Sequence, residues 1–291
     1  MEKKIDFIGV GFPRSGSSWT HEMISAHPQL CGSNPKEAGF FNDPELYKEG
    51  WSKEKKYYRH CKPGQLKGEF HPGYIKDKDA LERIREHNPN IKIIVCLRNP
   101  VYRTFSHFHK HKAKGKEFVA TFDQVIEHSE NPYVYMSRYP EKIKLLYSVF
   151  PKEQVHFIKF SDIGDTPRKV VADLYAFLGV DADYRPENLT DGVNTGGQLV
   201  ARSLSLAKVL YRLEALFWND SLAFVRKLLV KMGVRRMYDG LQNLNKKHLK
   251  KSQVKAPRLK PEDTKRLYNI FKDDIDKTEK LTNLDLNSWR Q

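Results

Sequence analysis

The segment IDFIGVGFPRSGSSW, from Ile5 to Trp19, has a pattern that predicts the fold class. Its first part, residues 5–10, is an apolar run with the length of a buried strand. A Gly-Phe-Pro turn ends the run, and a helix is predicted to begin at Ser17 or Ser18. A buried strand that turns directly into a helix is the opening unit of a parallel α/β sheet.

Later segments repeat this alternation. Residues 91–97 have the pattern of a buried strand, and Pro100 suits the first turn of the helix that follows. A further strand is predicted over residues 155–160, with a helix over 167–178. Strands and helices in alternation predict an α/β fold with a P-loop-like central parallel sheet flanked by helices.

The C-terminal part has a different pattern. Residues 201–232 are apolar and basic with helical spacing and no strand signal, residues 246–260 form a Lys-rich loop, and a last helix covers about 262–280. We therefore expect the whole chain to be one domain, with an α/β core in residues 1–190 and a helical portion in 191–291.

The composition favours a folded protein with polyanionic partners. Hydrophobic residues make up 39% of the 291 residues, enough for a sizeable core. Lys and Arg number 51 against 36 Asp and Glu, a formal charge of +15. Such a surplus fits nucleic acid, anionic lipid, acidic glycan or a phosphorylated cofactor, and net charge alone does not distinguish among them.

The three cysteines, Cys31, Cys61 and Cys96, are sparse and odd in number. Their spacing argues against a disulfide framework and against a zinc cluster. The N-terminus has no signal-peptide pattern and no window approaches a membrane span, so the expected location is cytoplasmic.

Basic residues also interleave with apolar ones near residue 230. This pattern fits a helix at a membrane surface or, equally, a core-facing helix with a basic exterior. The basic residues are Arg226, Lys227, Lys231, Arg235 and Arg236.

The turn between the first strand and the first helix is a candidate anion site. Its residues are Arg14, Ser15, Gly16, Ser17 and Ser18. A Gly- and Ser-rich turn there presents backbone N–H groups at a helix N-terminus, and Arg14 adds a positive fork. The Gly-Lys-Ser/Thr of nucleotide kinases is missing, which disfavours ATP hydrolysis. The alternative is an ordinary turn with a Ser N-cap.

A second candidate site lies in LRNPVYRTFS, Leu97 to Ser106. Arg98 is predicted at the C-terminal edge of its strand, where ligands collect in parallel α/β sheets, and Ser106 lies two turns into the next helix. Arg98 would otherwise pair with an acid. Arg103 is expected to be a surface or packing residue.

Together these motifs resemble the PAPS-dependent sulfotransferases, closest to their bacterial and heparan-sulfate-type glycan branch. Three further segments match in order: KEAGFF at 36–41, EFHPGY at 69–74 and LDLNSW at 284–289. The resemblance implies PAPS (3′-phosphoadenosine 5′-phosphosulfate) as cosubstrate, adenosine 3′,5′-bisphosphate as product and no required metal. It also implies transfer to a hydroxyl or amine of an acceptor, first of all a carbohydrate.

The resemblance also assigns residues to roles. The turn from Arg14 to Ser18, with Trp19, would hold the 5′-phosphosulfate, and Arg98 with Ser106 the 3′-phosphate. Lys250 and Lys251 would cover the cofactor, because no disulfide-closed loop is expected to do so.

For catalysis, the resemblance makes Glu37 the candidate base, with His71 as its rival, and Arg14 the group that stabilises the leaving phosphate. Two departures stand out, since Arg14 and Phe70 each occupy a position where the family has Lys.

Two other functions stay open, a P-loop nucleotide kinase or NTPase and a non-catalytic nucleic-acid-binding protein. No nucleic-acid-binding motif is visible, so no nucleic-acid partner is expected. His107, His109 and His111 have metal-like spacing, but alternate residues diverge on a helix, and a solvated face is expected.

Overall fold

The computed structural model describes residues 5–114, 121–128, 130–189, 198–217, 234–249 and 258–290. A sheet of five parallel strands has the order β2-β3-β1-β4-β5, which confirms the predicted central parallel sheet. Its strands are β1 (Phe7–Gly11), β2 (Leu30–Gly32), β3 (Leu66–Phe70), β4 (Lys92–Leu97) and β5 (Val155–Lys159).

Helices flank this sheet. Those of the α/β core are α1 (Ser17–Ala26), α2 (Pro44–Lys48), α3 (Lys78–His87), α4 (Pro100–Ala113), α5 (Phe122–Glu127), α6 (Pro132–Tyr135), α7 (Tyr139–Val149), α8 (Phe160–Asp165) and α9 (Pro167–Leu178). Short 3₁₀ turns cover Trp51–Tyr58, Tyr74–Lys76, Lys152–Gln154 and Asn287–Trp289. Pro occupies the first or second position of α2, α4, α6, α7 and α9, where its missing N–H costs no hydrogen bond.

Side chains of each inner strand alternate between two hydrophobic cores, one on each face of the sheet. On β4, Ile93 and Val95 enter the core that also contains α3 and α7, whereas Ile94 and Cys96 enter the core with α1 and α9. A strand buried on both faces is apolar along its buried length, which is why residues 93–97 form a continuous hydrophobic run.

The site is positioned by β1, which lies in the middle of the sheet between β3 and β4. All five strands are parallel, so the segments that follow β1, β2, β3 and β4 emerge at one edge. Parallel α/β sheets bind ligands at this carboxyl edge. The two predicted anion sites follow the neighbouring strands β1 and β4.

The C-terminal portion is largely helical, as predicted. It contains α10 (Leu204–Phe217), α11 (Val234–Leu244) and α12 (Pro261–Thr282). The long helix α12 buries Leu267, Phe271 and Ile275 in the core with α7. None of the described helices is long and apolar enough to cross a membrane.

A small antiparallel sheet was not expected there. Strand β6 (Gln198–Ala201) pairs with β7 (Lys246–Leu249), so the predicted Lys-rich loop begins as a strand. The sequence KKHL has no alternation of apolar residues that would predict a strand. The pairing is made by backbone hydrogen bonds across the ladder, which do not depend on the side chains. The division into 1–190 and 191–291 stays a prediction.

The chain also contains a disulfide between Cys31 and Cys61, with 5.7 Å between the Cα atoms. The expectation, drawn from the number and spacing of the cysteines, that the chain has no disulfide framework is therefore wrong. Sequence spacing could not show this pair, because parallel pairing of β2 with β3 brings Cys31 next to the turn that precedes β3. Cys96 is buried and free.

Candidate active site

The turn between β1 and α1, here called the phosphate loop (residues 11–18), has a conformation that exposes backbone amides. Gly16 has φ 105° and precedes the first residue of α1. An added Cβ there would lie 2.6 Å from Ile163 Cδ1, so only glycine fits. Arg14 also has a positive φ, 70°, uncommon for a residue with a side chain and typical of functional turns. The helix N-terminus that follows favours an anion.

Two residues assigned to this loop face inward. Ser15 is fully buried, and Trp19 is buried with its indole N–H donated to the carbonyl oxygen of Leu189 at 3.2 Å. Both can reach a ligand only through the main chain. Their assignment to the cofactor site therefore stays a prediction that rests on backbone amides.

The two predicted anion sites meet through their arginines. Arg14 Nε donates to Ser106 Oγ at 3.0 Å, and Arg98 Nη1 donates to the carbonyl oxygen of Arg14 at 3.2 Å. Arg98 also stacks on the Phe160 ring, 4.4 Å from its centroid. Within the described residues, neither arginine forms a salt bridge with Asp or Glu. Burial, followed by repulsion from Arg14, lowers the pKa of Arg98 to about 10.

Arg103 is a buried residue that supports the phosphate loop through hydrogen bonds. It is fully buried and donates to Ser137 Oγ at 2.7 Å, to the Tyr133 carbonyl at 2.6 Å and to the Pro13 carbonyl at 3.2 Å. Burial lowers its pKa to about 10. The expectation of a packing residue is confirmed, but that of a surface position is not. Its bond to Pro13 ties α4 to the phosphate loop.

The three histidines of α4 are half-buried, so the expected solvated face is wrong. His107 and His111 lie on one side of the helix with ring centroids 4.5 Å apart, whereas His109 packs on the other side against Phe105. Burial and the adjacent Arg103 lower the pKa of His107 to about 2, which keeps it neutral. As helical geometry predicted, the three do not converge.

A lysine from the segment after β2 also contacts the phosphate loop. Lys36 belongs to the segment after β2, here called the Lys36 segment (residues 33–43). Its Nζ donates to Ser17 Oγ at 3.0 Å and lies 3.4 Å from Ser18 Oγ. It also stands over the Phe70 ring, 5.9 Å from the centroid. Burial lowers the pKa of Lys36.

The sequence motifs assign no role to Lys36, although it belongs to the KEAGFF segment. They also assign none to Lys110, one turn beyond Ser106 on α4. Burial, followed by repulsion from Arg14, lowers the pKa of Lys110 to about 8. An i, i+4 relation to a candidate phosphate ligand was the signal that could have found it. Lys250 and Lys251 lie outside the described residues.

The Lys36 segment carries the candidate base. Glu37 is half-exposed, with its Oε1 3.9 Å from Lys36 Nζ. The next residue, Ala38, donates its backbone N–H to Glu69 Oε2 at 3.1 Å. Glu69 is fully buried and accepts the Tyr74 hydroxyl at 2.5 Å. Burial raises the pKa of Glu69 to about 7.

The rival base, His71, faces the same segment. An added Cβ at Gly39 would lie 3.7 Å from His71 Nε2. His71 Nδ1 accepts the Gly73 backbone N–H at 3.2 Å, so a neutral imidazole carries its proton on Nε2. Burial lowers the pKa of His71, and the nearby Glu37 opposes that shift.

Curated relatives match parts of this chain. "Membrane-associated sulfotransferase kil1" of Dictyostelium discoideum is 31% identical over 107 residues, 36% of this chain and 22% of the relative. "Heparan sulfate glucosamine 3-O-sulfotransferase 5" of Mus musculus is 27% identical over 163 residues, 52% of this chain and 46% of the relative. The matched region thus spans less than half of each of these relatives.

Comparison with solved structures and family models covers more of the chain. A crystal structure of a sulfotransferase from Alicyclobacillus acidocaldarius superimposes with a TM-score of 0.66 at 20% identity, covering 99% of this chain and 100% of the other, which shows a shared fold. The family model described as the sulfotransferase domain matches residues 4–252. Because this match covers most of the chain, the chain belongs to the sulfotransferase family.

Proposed function

We propose that this protein transfers a sulfuryl group from PAPS to a hydroxyl or amine of a carbohydrate acceptor. The observation that carries the proposal is the contact between two anion sites on neighbouring strands. Arg14 bonds Ser106, and Arg98 bonds the main chain of Arg14. A nucleotide with phosphate groups at both ends of its ribose suits two such adjoining sites.

The described residues fit this cosubstrate. The backbone amides of residues 15–18, the hydroxyls of Ser17 and Ser18, and Lys36 would hold the 5′-phosphosulfate. Arg98 and Ser106 would hold the 3′-phosphate, with Lys110 as a further cation nearby. The arginines have no described acid partner, so an incoming anion meets positive charge that no carboxylate already neutralises.

Sulfuryl transfer needs alignment, stabilisation of the departing phosphate and removal of the acceptor proton. Arg14, which is part of the phosphate loop, and Lys36, which contacts Ser17, would stabilise charge on the leaving adenosine 3′,5′-bisphosphate. Lys36 thereby supplies the cation that Phe70 does not. PAPS itself provides the activated sulfuryl group.

Glu37 is the better candidate for the base. Its carboxylate is half-exposed beside Lys36 and can accept a proton from an acceptor hydroxyl. His71 must first change tautomer, because its Nδ1 already accepts the Gly73 N–H and its Nε2 then bears the proton. In this position His71 would donate a hydrogen bond to the acceptor or to Glu37.

The glycan acceptor is supported by the relatives and by charge. Heparan sulfate appears in the names of the mouse and human relatives. A formal charge of +15 suits an acidic polysaccharide. A panel of acceptors distinguishes transfer to a hydroxyl from transfer to an amine. The same panel distinguishes carbohydrate acceptors from smaller compounds.

Two measurements test the proposal. Adenosine 3′,5′-bisphosphate should raise the melting temperature, whereas ATP–Mg²⁺ and an oligonucleotide should not. Labelled sulfate should then pass from PAPS to an acceptor panel of desulfated heparan oligosaccharides, simple phenols and amines. Stabilisation by ATP–Mg²⁺ alone would favour a nucleotide kinase, and stabilisation by the oligonucleotide alone would favour a nucleic-acid-binding protein.

A further inference from the structure

Exposed apolar side chains are concentrated on two neighbouring helices of the C-terminal portion. Nine large hydrophobic residues are exposed in the described part of the chain, and seven of them lie on α10 or α11. Isolated exposed hydrophobic residues are ordinary, but a concentration on one pair of helices marks an interaction surface. The seven are Leu206, Val209, Tyr211, Leu213, Met237, Leu241 and Leu244.

Six of these residues form two stripes. On α10, Leu206, Val209 and Leu213 are spaced i, i+3 and i+7, and on α11 the spacing of the three exposed residues is i, i+4 and i+7. Each set falls on one side of its helix. Val209 and Met237 are more than half exposed, at 55% and 63%.

One buried residue aligns the two helices. Asn245 Oδ1 accepts the Ser203 backbone N–H at 2.8 Å, and Asn245 Nδ2 donates to the Ser203 carbonyl at 3.0 Å. Ser203 precedes α10 and Asn245 follows α11, so the start of one helix is fixed beside the end of the other. The two stripes, here called the apolar stripes, therefore lie on neighbouring helices.

Charge identifies the occupant. Segments 198–217 and 234–249 contain seven Lys and Arg against two Asp and Glu. Lys208 and Arg212 are exposed and lie beside the α10 stripe, one turn apart. Apolar stripes with basic flanks are the pattern of helices that lie in the interface of an anionic bilayer, where basic residues near the surface are attracted to the lipid phosphates.

We propose that α10 and α11 dock this protein peripherally on an anionic membrane surface through the apolar stripes. The stripes enter the headgroup region, and the flanking basic residues contact lipid phosphates. This inference does not depend on the proposed sulfuryl transfer, because neither helix contributes a residue to the phosphate loop or to the Lys36 segment.

The test is co-sedimentation of the full chain with vesicles of phosphatidylcholine alone or of phosphatidylcholine with phosphatidylglycerol. Wild-type protein should bind the anionic vesicles at least about tenfold more tightly, and added salt should weaken this binding. The combined variant Val209→Gln, Leu213→Gln and Met237→Gln should lose most binding. Tyr102→Gln, which removes a 45% exposed aromatic residue from α4, should retain it.

A second variant separates charge from apolar contact. Lys208→Glu with Arg212→Glu should abolish the preference for phosphatidylglycerol. Far-UV circular dichroism and the melting temperature without ligand check that each variant is folded. Wild-type protein that binds neither vesicle, or stripe variants that bind like wild type, would overturn the proposal. A wild-type dimer that the stripe variant converts to monomer would assign the stripes to a second copy of this chain instead.

Discussion

Lys36 Nζ lies 3.0 Å from Ser17 Oγ, and this contact joins the segment that carries Glu37 to the first turn of α1. Both groups would lie beside the bond to sulfur, where charge grows only as that bond breaks. A cation at such a position acts mainly on the transition state.

Lys36→Ala should therefore lower turnover by about 10²–10³-fold, whereas the affinity for adenosine 3′,5′-bisphosphate should fall by less than about tenfold. Lys36→Arg should recover part of the rate because it keeps the charge. Steady-state kinetics and calorimetry give the two quantities. Lys76→Ala, an exposed lysine after β3, is the matched control; an equal loss in binding and turnover for Lys36→Ala would indicate a ground-state role.

Arg98 offers the sharpest test of the nucleotide site. Arg98→Ala removes a charge-assisted contact to phosphate and should cost about 1.5–3 kcal/mol, or roughly 10–100-fold in affinity for adenosine 3′,5′-bisphosphate. Adenosine 5′-phosphate, which lacks the 3′ group, should bind both proteins alike. Arg168→Ala, an exposed arginine on α9, should leave both affinities unchanged. Unaltered bisphosphate affinity in Arg98→Ala would refute the assignment.

The assignment of the base is tested by two variants in parallel. Glu37→Gln removes the proton acceptor and should reduce transfer to a hydroxyl by about 10²–10⁴-fold with PAPS affinity nearly unchanged. His71→Gln keeps a hydrogen-bond donor near the Nε2 position and should retain substantially more activity. The reverse order of activities would make His71 the base and would require the imidazole to give up its bond from Gly73.

Glu69 should make stability depend on pH. Burial raises the pKa of its carboxyl to about 7, so between about pH 5 and 7 the folded state keeps a proton that the unfolded state has lost. Stability should fall across this window as the pH rises, by up to about 3 kcal/mol. Urea unfolding at several pH values should show a flatter profile for Glu69→Gln, whereas Glu37→Gln in the adjoining segment should keep the wild-type slope.

The disulfide closes a loop that contains the whole Lys36 segment. Replacing Cys31 and Cys61 together by Ser should destabilise the protein by about 2–4 kcal/mol, because the unfolded chain gains freedom. The free Cys96 is the matched control, and Cys96→Ala should not respond to dithiothreitol differently from wild type. If the double variant and wild type unfold at the same urea concentration under oxidising conditions, the disulfide adds no stability.

The parallel sheet and the two arginine-bearing turns are predictable from the residues alone. Residues 5–10 and 91–97 are apolar at nearly every position because both faces of an inner strand are buried. This pattern can be recognised in the sequence alone. Gly16 and Pro100 likewise report local backbone requirements, a positive φ and a first helical turn.

Contacts between groups that are distant in the sequence are visible only in the folded chain. Lys36 reaches Ser17, Cys31 joins Cys61, and Glu69 holds the backbone of Ala38, all because β3 pairs with β1 and β2 pairs with β3. The burial of Arg103, and the antiparallel pairing of β6 with a Lys-rich β7, likewise depend on packing and on backbone hydrogen bonds. Neither leaves a periodic signal in the side chains, so the folded chain is needed to reveal them.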